Sequence, residues 1–214
     1  LYWFEVLDQE HRSLLTESEL VATLRAIVRD ADGAGGEHAG QEPIGVLSTE
    51  KRRTWYELRT KLEEEPHNRR NLSMIDSALF VLCLDDDAPA DVTDLTNNML
   101  CGTYRLHDGR QVGTCLNRWY DKLQIIVCKN GAAGVNFEHS SADGHTVLRF
   151  VGDIYTELIL QFARSINPNT KSLFQAKISP FARSEARKHK RASSDMLSDV
   201  QARTTPRRLE WTLT

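Results

Sequence analysis

The sequence predicts an α/β fold. Three observations carry that reading. Amphipathic segments suited to helices alternate with short apolar strands. Asn130-Gly131, a strong short-range hairpin signal, separates two apolar runs. Hydrophobic residues make up 40% of the 214 and charged residues 27%, ordinary for a globular domain with one well-buried core.

Residues 1–7 read as a strand rich in aromatic and β-branched side chains, closed by a turn at Asp8-Gln9-Glu10. Thr16 with Glu19 forms a capping-box pattern that opens an amphipathic helix over 16–28. Residues 32–43 are Gly-, Ala- and polar-rich and read as a flexible surface loop. Trp55, Leu58 and Leu62 at helical spacing place a helix over 49–64, ended by Pro66, with a short helical turn at 71–76. Residues 78–84 form a buried strand. The acidic run 85–91 then reads as a solvated loop that caps a helix over 92–100. It lacks the alternating ligands and closing glutamate of a calcium loop. A glycine-containing loop fills 101–114.

Segments 123–129 and 132–138 form the hairpin around Asn130-Gly131. Val147, Leu148, Val151, Ile154, Leu158, Ile159 and Phe162 recur with the period of a long helix buried on one face. Residues 183–205 read as an exposed basic and polar linker. Within it, Lys188-His189-Lys190-Arg191 and Ser193 also fit a nuclear signal or a kinase target.

A net charge of −3 supplies no basic field for nucleic acid. No run approaches the roughly 18 apolar residues of a membrane span. The chain starts at Leu1, so a targeting segment upstream would be invisible. The four cysteines lack the paired short spacing of a zinc site, and Cys83 and Cys128 lie in apolar strand patterns as buried thiols. A reducing compartment fits them.

The residue that points to chemistry is His139. It leaves a strand on a short turn that enters a helix, and an imidazole held there can take a proton from a hydroxyl near neutral pH. His145, six residues on, has no converging ligand set for zinc and reads as a first-turn helix residue. Cys128 as a nucleophile is disfavoured by its apolar strand.

Residues 134–144, Gly-Val-Asn-Phe-Glu-His-Ser-Ser-Ala-Asp-Gly, resemble the active-site block of the carnitine/choline acyltransferases. The blocks at 45–55, 77–85 and 117–122 (Asn-Arg-Trp-Tyr-Asp-Lys) resemble other blocks of the same family, in the family's order. The resemblance implies a central mixed β-sheet flanked by helices, similar to chloramphenicol acetyltransferase. It implies reversible transfer of an acyl group, acetyl by preference, between coenzyme A and carnitine, with His139 as general base and no bound cofactor or metal.

Glu138, Asp143 and Gly144 would support the base, Asp143 by orienting the loop or holding a cationic partner and Gly144 through close packing or an unusual dihedral. Arg118, Trp119 and Asp121 read as architecture, Asp121 needing a paired cation. Against the family's length, residues 1–214 are expected to be one partial domain. The C-terminal half would then supply most coenzyme A contacts and much of the carnitine pocket. Choline or another small alcohol as acceptor, or a non-catalytic interaction domain that keeps the motif, are the alternatives. The compartment is expected to be cytoplasmic, mitochondrial or peroxisomal.

Overall fold

Alternating burial along two strands organises the part of the chain that matters for function. In β2 (Val81–Asp85) and β5 (Gln124–Cys128), every second side chain is buried, the signature of strands with one face turned to a core. The computed structural model describes residues 1–33, 43–140, 142–182, 185 and 194–213. They divide into two compact units, Gln41–Leu158 with Trp211–Thr214, and Leu1–Gly40 with Ile159–Glu210.

In the first of these units β2 pairs in parallel with β5, Val81 opposite Gln124 through Asp85 opposite Cys128. β5 then pairs antiparallel with β6 (Ala133–Asn136), so the sheet is mixed, in the order β2-β5-β6. The hairpin between β5 and β6 follows the Asn130-Gly131 signal with a longer connection than a two-residue turn. Cys128 and Ala132 still bond, and Gly131 takes the left-handed conformation (φ 84°) that closes a three-residue loop.

Around the sheet lie α2 (Arg52–Leu62), α3 (Pro66–Ser77) and α4 (Val92–Leu100), with 3-10 turns at Ile44–Thr49 and Thr114–Asn117. Leu72, Ile75, Cys83, Ile126, Trp55 and Trp119 are buried. Gly134 of β6 lies against α4: a Cβ there would stand 2.6 Å from Met99 Sδ.

Several sequence expectations need correction here. Pro66 does not end a helix; it opens α3 at the first helical position, where its missing N–H costs nothing, and α3 runs well before the short turn expected at 71–76. The loop expected at 101–114 contains a second hairpin, β3 (Arg105–His107) with β4 (Arg110–Val112). Asp108 and Gly109 both have positive φ there, as a tight hairpin turn requires. Asp85 is no part of a solvated loop: it ends β2 and is buried. Asp91 does cap α4, accepting from the Asp94 N–H at 2.8 Å.

In the other unit, the predicted capping box is formed. The Glu19 carboxylate accepts from the Thr16 N–H at 2.9 Å, and the Thr16 hydroxyl accepts from the Glu19 N–H at 3.3 Å. It opens α1 (Glu17–Gly33), which extends past residue 28. The expected strand at 1–7 ladders only as β1 (Tyr2–Trp3), because its antiparallel partner β7 (Arg207–Arg208) is equally short. Residues 194–204 are not linker. They form α6 (Ser194–Thr204), which buries Val200 and Thr204; Leu14, Leu15, Ala182 and Leu209 of the same unit are buried too. Residues 34–42 of the expected loop, and Lys188 to Arg191 with Ser193, lie outside the described residues.

α5 (Gly144–Ile166) is longer than its apolar period suggested, and none of its residues is buried. Leu158 is 57% and Phe162 68% exposed, so the expected buried face has no cover among the described residues. No described helix is long and apolar enough to cross a membrane.

Candidate active site

The turn between β6 and α5 is fixed at both ends. At its start, the Asn136 side chain donates to the carbonyls of Met99 (3.0 Å) and Leu100 (2.9 Å). These belong to the last turn of α4, whose carbonyls have no helical partner of their own. At its end, Asp143 caps α5 and accepts from the Thr146 N–H at 2.9 Å and the Thr146 hydroxyl at 3.2 Å. Those two bonds, the backbone one foremost, hold the Asp143 carboxyl below the usual carboxylate range, and the charge of His139 adds a smaller contribution.

His139 sits on this turn, exposed, with its ring centroid 6.3 Å from that of Phe137. Its neighbour Glu138 is held from two sides. Ser140 donates its hydroxyl to one carboxylate oxygen, and Arg52 of α2 donates from Nη2 to the other at 2.5 Å. The Ser140 bond first, and Arg52 after it, keep the Glu138 carboxyl lowered and charged.

Glu138, His139 and Asp143 are therefore gathered on one connection, as the sequence suggested. Gly144 does not fit its expected role. A Cβ there would meet nothing within 4 Å, and Gly144 is not among the described glycines with positive φ. His145 lies in the first turn of α5.

Arg118, Trp119 and Asp121 stand apart, in the layer that joins β2, β5 and α2. The Arg118 guanidinium, 1% exposed, makes a two-pronged pair with Asp85 at 2.9 and 2.7 Å. Asp121 takes the Trp55 indole N–H at 3.0 Å and Lys122 at 3.2 Å, so Lys122 is the cation its setting demanded. Trp119 packs edge-on against Trp55 at 6.5 Å. The Tyr120 N–H donates to the Ser48 hydroxyl at 2.7 Å, and a Cβ on Gly45 would stand 2.4 Å from the Arg118 carbonyl. The blocks at 45–55, 77–85 and 117–122 are thus one packed body, with the 134–144 block joined to it through the β5–β6 ladder, the Asn136 bonds to α4 and Arg52.

Sequence reasoning missed Arg52, Ser140 and Asn136 as the groups that shape the turn. Arg52 lay within a quoted block, yet its partner is 86 residues away. It also missed Asn98, whose amide donates to Asp85 at 3.1 Å and to the Cys128 sulfur at 3.3 Å. Cys83 and Cys128 are buried thiols as expected, and burial raises both, Cys83 to about 11. Neither is poised as a nucleophile. Among the described residues no group of three His, Cys, Asp or Glu side chains could hold a metal ion. The arrangement offers one solvent-facing imidazole on a braced turn, suited to proton transfer.

The sequence model of the choline/carnitine O-acyltransferases matches residues 1–214. The chain belongs to this family. A relative within the choline/carnitine O-acyltransferases, described as "Putative mitochondrial carnitine O-acetyltransferase", from Saccharomyces cerevisiae, is 46% identical over 98% of the chain. The carnitine O-acetyltransferase YAT2 of the same organism is 33% identical over 83%. The mitochondrial carnitine O-palmitoyltransferase 2 of Homo sapiens is 39% identical over 73%. The chain spans 31%, 23% and 21% of the lengths of these three acyltransferases.

Proposed function

We propose that this chain is the part of a carnitine acyltransferase that carries the general base, and that His139 is that base. In the reaction, a carnitine hydroxyl meets the thioester carbonyl of an acyl-coenzyme A at the imidazole. His139 takes the hydroxyl proton as the oxygen attacks the carbonyl carbon. The tetrahedral intermediate then collapses with loss of the coenzyme A thiolate, which takes the proton back from the imidazolium. Holding both substrates at one base makes a covalent enzyme intermediate unnecessary. The observation that carries this reading is the placement of His139, exposed on a turn pinned by Asn136 at one end and Asp143 at the other.

Acetyl is the favoured acyl group, on the 46% identity to a relative described as an acetyltransferase against 39% to a palmitoyltransferase. The mixed sheet with helices supports a chloramphenicol acetyltransferase-like fold. Most of the surface for coenzyme A and for the carnitine carboxylate belongs, on this reading, to polypeptide outside residues 1–214. The mitochondrial relatives support a mitochondrial location.

The test is His139→Ala in the full-length protein. Coenzyme A release from acetyl-CoA with carnitine should fall about 10²–10⁴-fold, the range for losing a positioned base, with circular dichroism unchanged. Retention of more than about a tenth of the wild-type rate removes His139 from that role.

A further inference from the structure

We infer that Arg52 is a positioning residue for His139, acting through Glu138; the inference rests on the reading of His139 as the base. Arg52 is the first residue of α2, and its backbone is fixed by Trp55 one turn on, buried and bonded to Asp121 at 3.0 Å. From that anchor its guanidinium reaches Glu138 at 2.5 Å, across 86 residues of sequence. The other carboxylate oxygen of Glu138 accepts from Ser140. The residues on both sides of His139 are therefore tied to each other and, through Arg52, to the packed body behind.

The burial of the pair separates positioning from stability. The Arg52 side chain is 82% exposed and that of Glu138 37%. An ion pair this open contributes little to folding, because water competes for both partners. Its consequence is geometric. Without Arg52, Glu138 keeps only the local Ser140 bond, and the stretch between the Asn136 and Asp143 anchors loses its side-chain tie to α2. A base displaced by about 1 Å can lose up to about 10²-fold in rate. Arg52 touches no reacting atom in this account, so the loss belongs in kcat and not in substrate binding.

The experiment uses the full-length protein with Arg52→Gln, Arg52→Lys, Glu138→Gln, the Arg52→Gln/Glu138→Gln double variant, and His139→Ala as control. Arg52→Gln and Glu138→Gln should each lower kcat about fivefold, the most that so exposed a pair can bias the geometry, with KM for acetyl-CoA and for carnitine changed less than about twofold. Arg52→Lys should recover most of the rate. The double variant should be no slower than the slower single one, since both remove one contact. Melting temperatures should stay at the wild-type value.

A kcat for Arg52→Gln within about twofold of wild type overturns the inference, as do losses that multiply in the double variant. A marked fall in melting temperature with Arg52→Gln overturns it too, by making the pair a stabilising contact. The control separates the two readings. An active His139→Ala protein defeats the base assignment, whereas an inactive one beside an undisturbed Arg52→Gln defeats this inference alone.

Discussion

Asp143 accepts from Thr146 with the geometry of a helix cap, and that fixes what its substitutions should do. Asn caps about as well as Asp, and Ala does not cap. Asp143→Ala should therefore lower the urea midpoint of the full-length protein, while Asp143→Asn stays close to wild type in both midpoint and acyl-transfer rate. An Asp143→Asn protein as inactive as His139→Ala yet equally stable would move Asp143 into the chemistry. The Glu-His-Ser block could be read in the sequence because its residues are contiguous. Arg52 could not be, since nothing local to it names a partner 86 residues away. Asp85 was misread for a related reason. An acidic run looks solvated until Arg118, from another segment, supplies the charge that lets its first member be buried.

Between elements, the Asp85–Arg118 pair joins the end of β2 to the segment before β5, with Asn98 of α4 bonded to both. Asp85→Ala would strand a guanidinium that is 1% exposed, at a cost of about 3–5 kcal/mol, measurable by chemical denaturation. Replacing both partners by apolar residues of similar volume should cost much less. Acid acts on the segment that follows β1. Burial alone would raise the Asp8 carboxyl, but bonds from the Ser179 hydroxyl, then from the Arg12 N–H and side chain and the Glu10 N–H, outweigh it and lower it strongly. A carboxyl lowered on folding lends stability that is full above its unfolded value, about 4, and is lost as pH falls through the lower folded value. Thermal midpoints followed from pH 7 downward should hold until about pH 4 and then fall, and Asp8→Asn should flatten that fall. Legibility differed among the elements. The cap at the end of the acidic run marked α4 at its true limits, and the capping box marked the start of α1. Pro66 was misread and the hairpin at Asp108-Gly109 was missed, because a proline can open a helix as well as close one, and a glycine-containing stretch can hide two short strands.

For the molecule as a whole, residues 1–214 alone should show no appreciable carnitine acyltransferase activity although they contain His139. Bringing thioester and alcohol together at one imidazole can account for up to about 7–11 kcal/mol of barrier reduction, and a base that holds neither substrate forgoes it. Calorimetric titration with coenzyme A beside a turnover assay checks this. Micromolar binding with turnover would show that the substrate surfaces lie within these residues after all. The apolar side chains along α5 should also make the isolated chain prone to self-association, visible by light scattering. The alternation of strands and helices made the α/β class legible and the family resemblance implied the mixed sheet, whereas the division into two units was not legible, because each unit joins segments far apart in the sequence. The long reach of Arg52 to Glu138 bears on the order in which the molecule assembles. The β5–β6 hairpin closes a loop of a few residues and can pair within microseconds. The Arg52 contact closes a loop spanning 86 residues, and the parallel partner β2 also joins from far along the chain, so both wait on a larger loss of chain entropy. His139 thus rides on a fast, local piece of structure whose final trim arrives late, and recovery of catalysis on refolding should lag behind recovery of the β5–β6 hairpin.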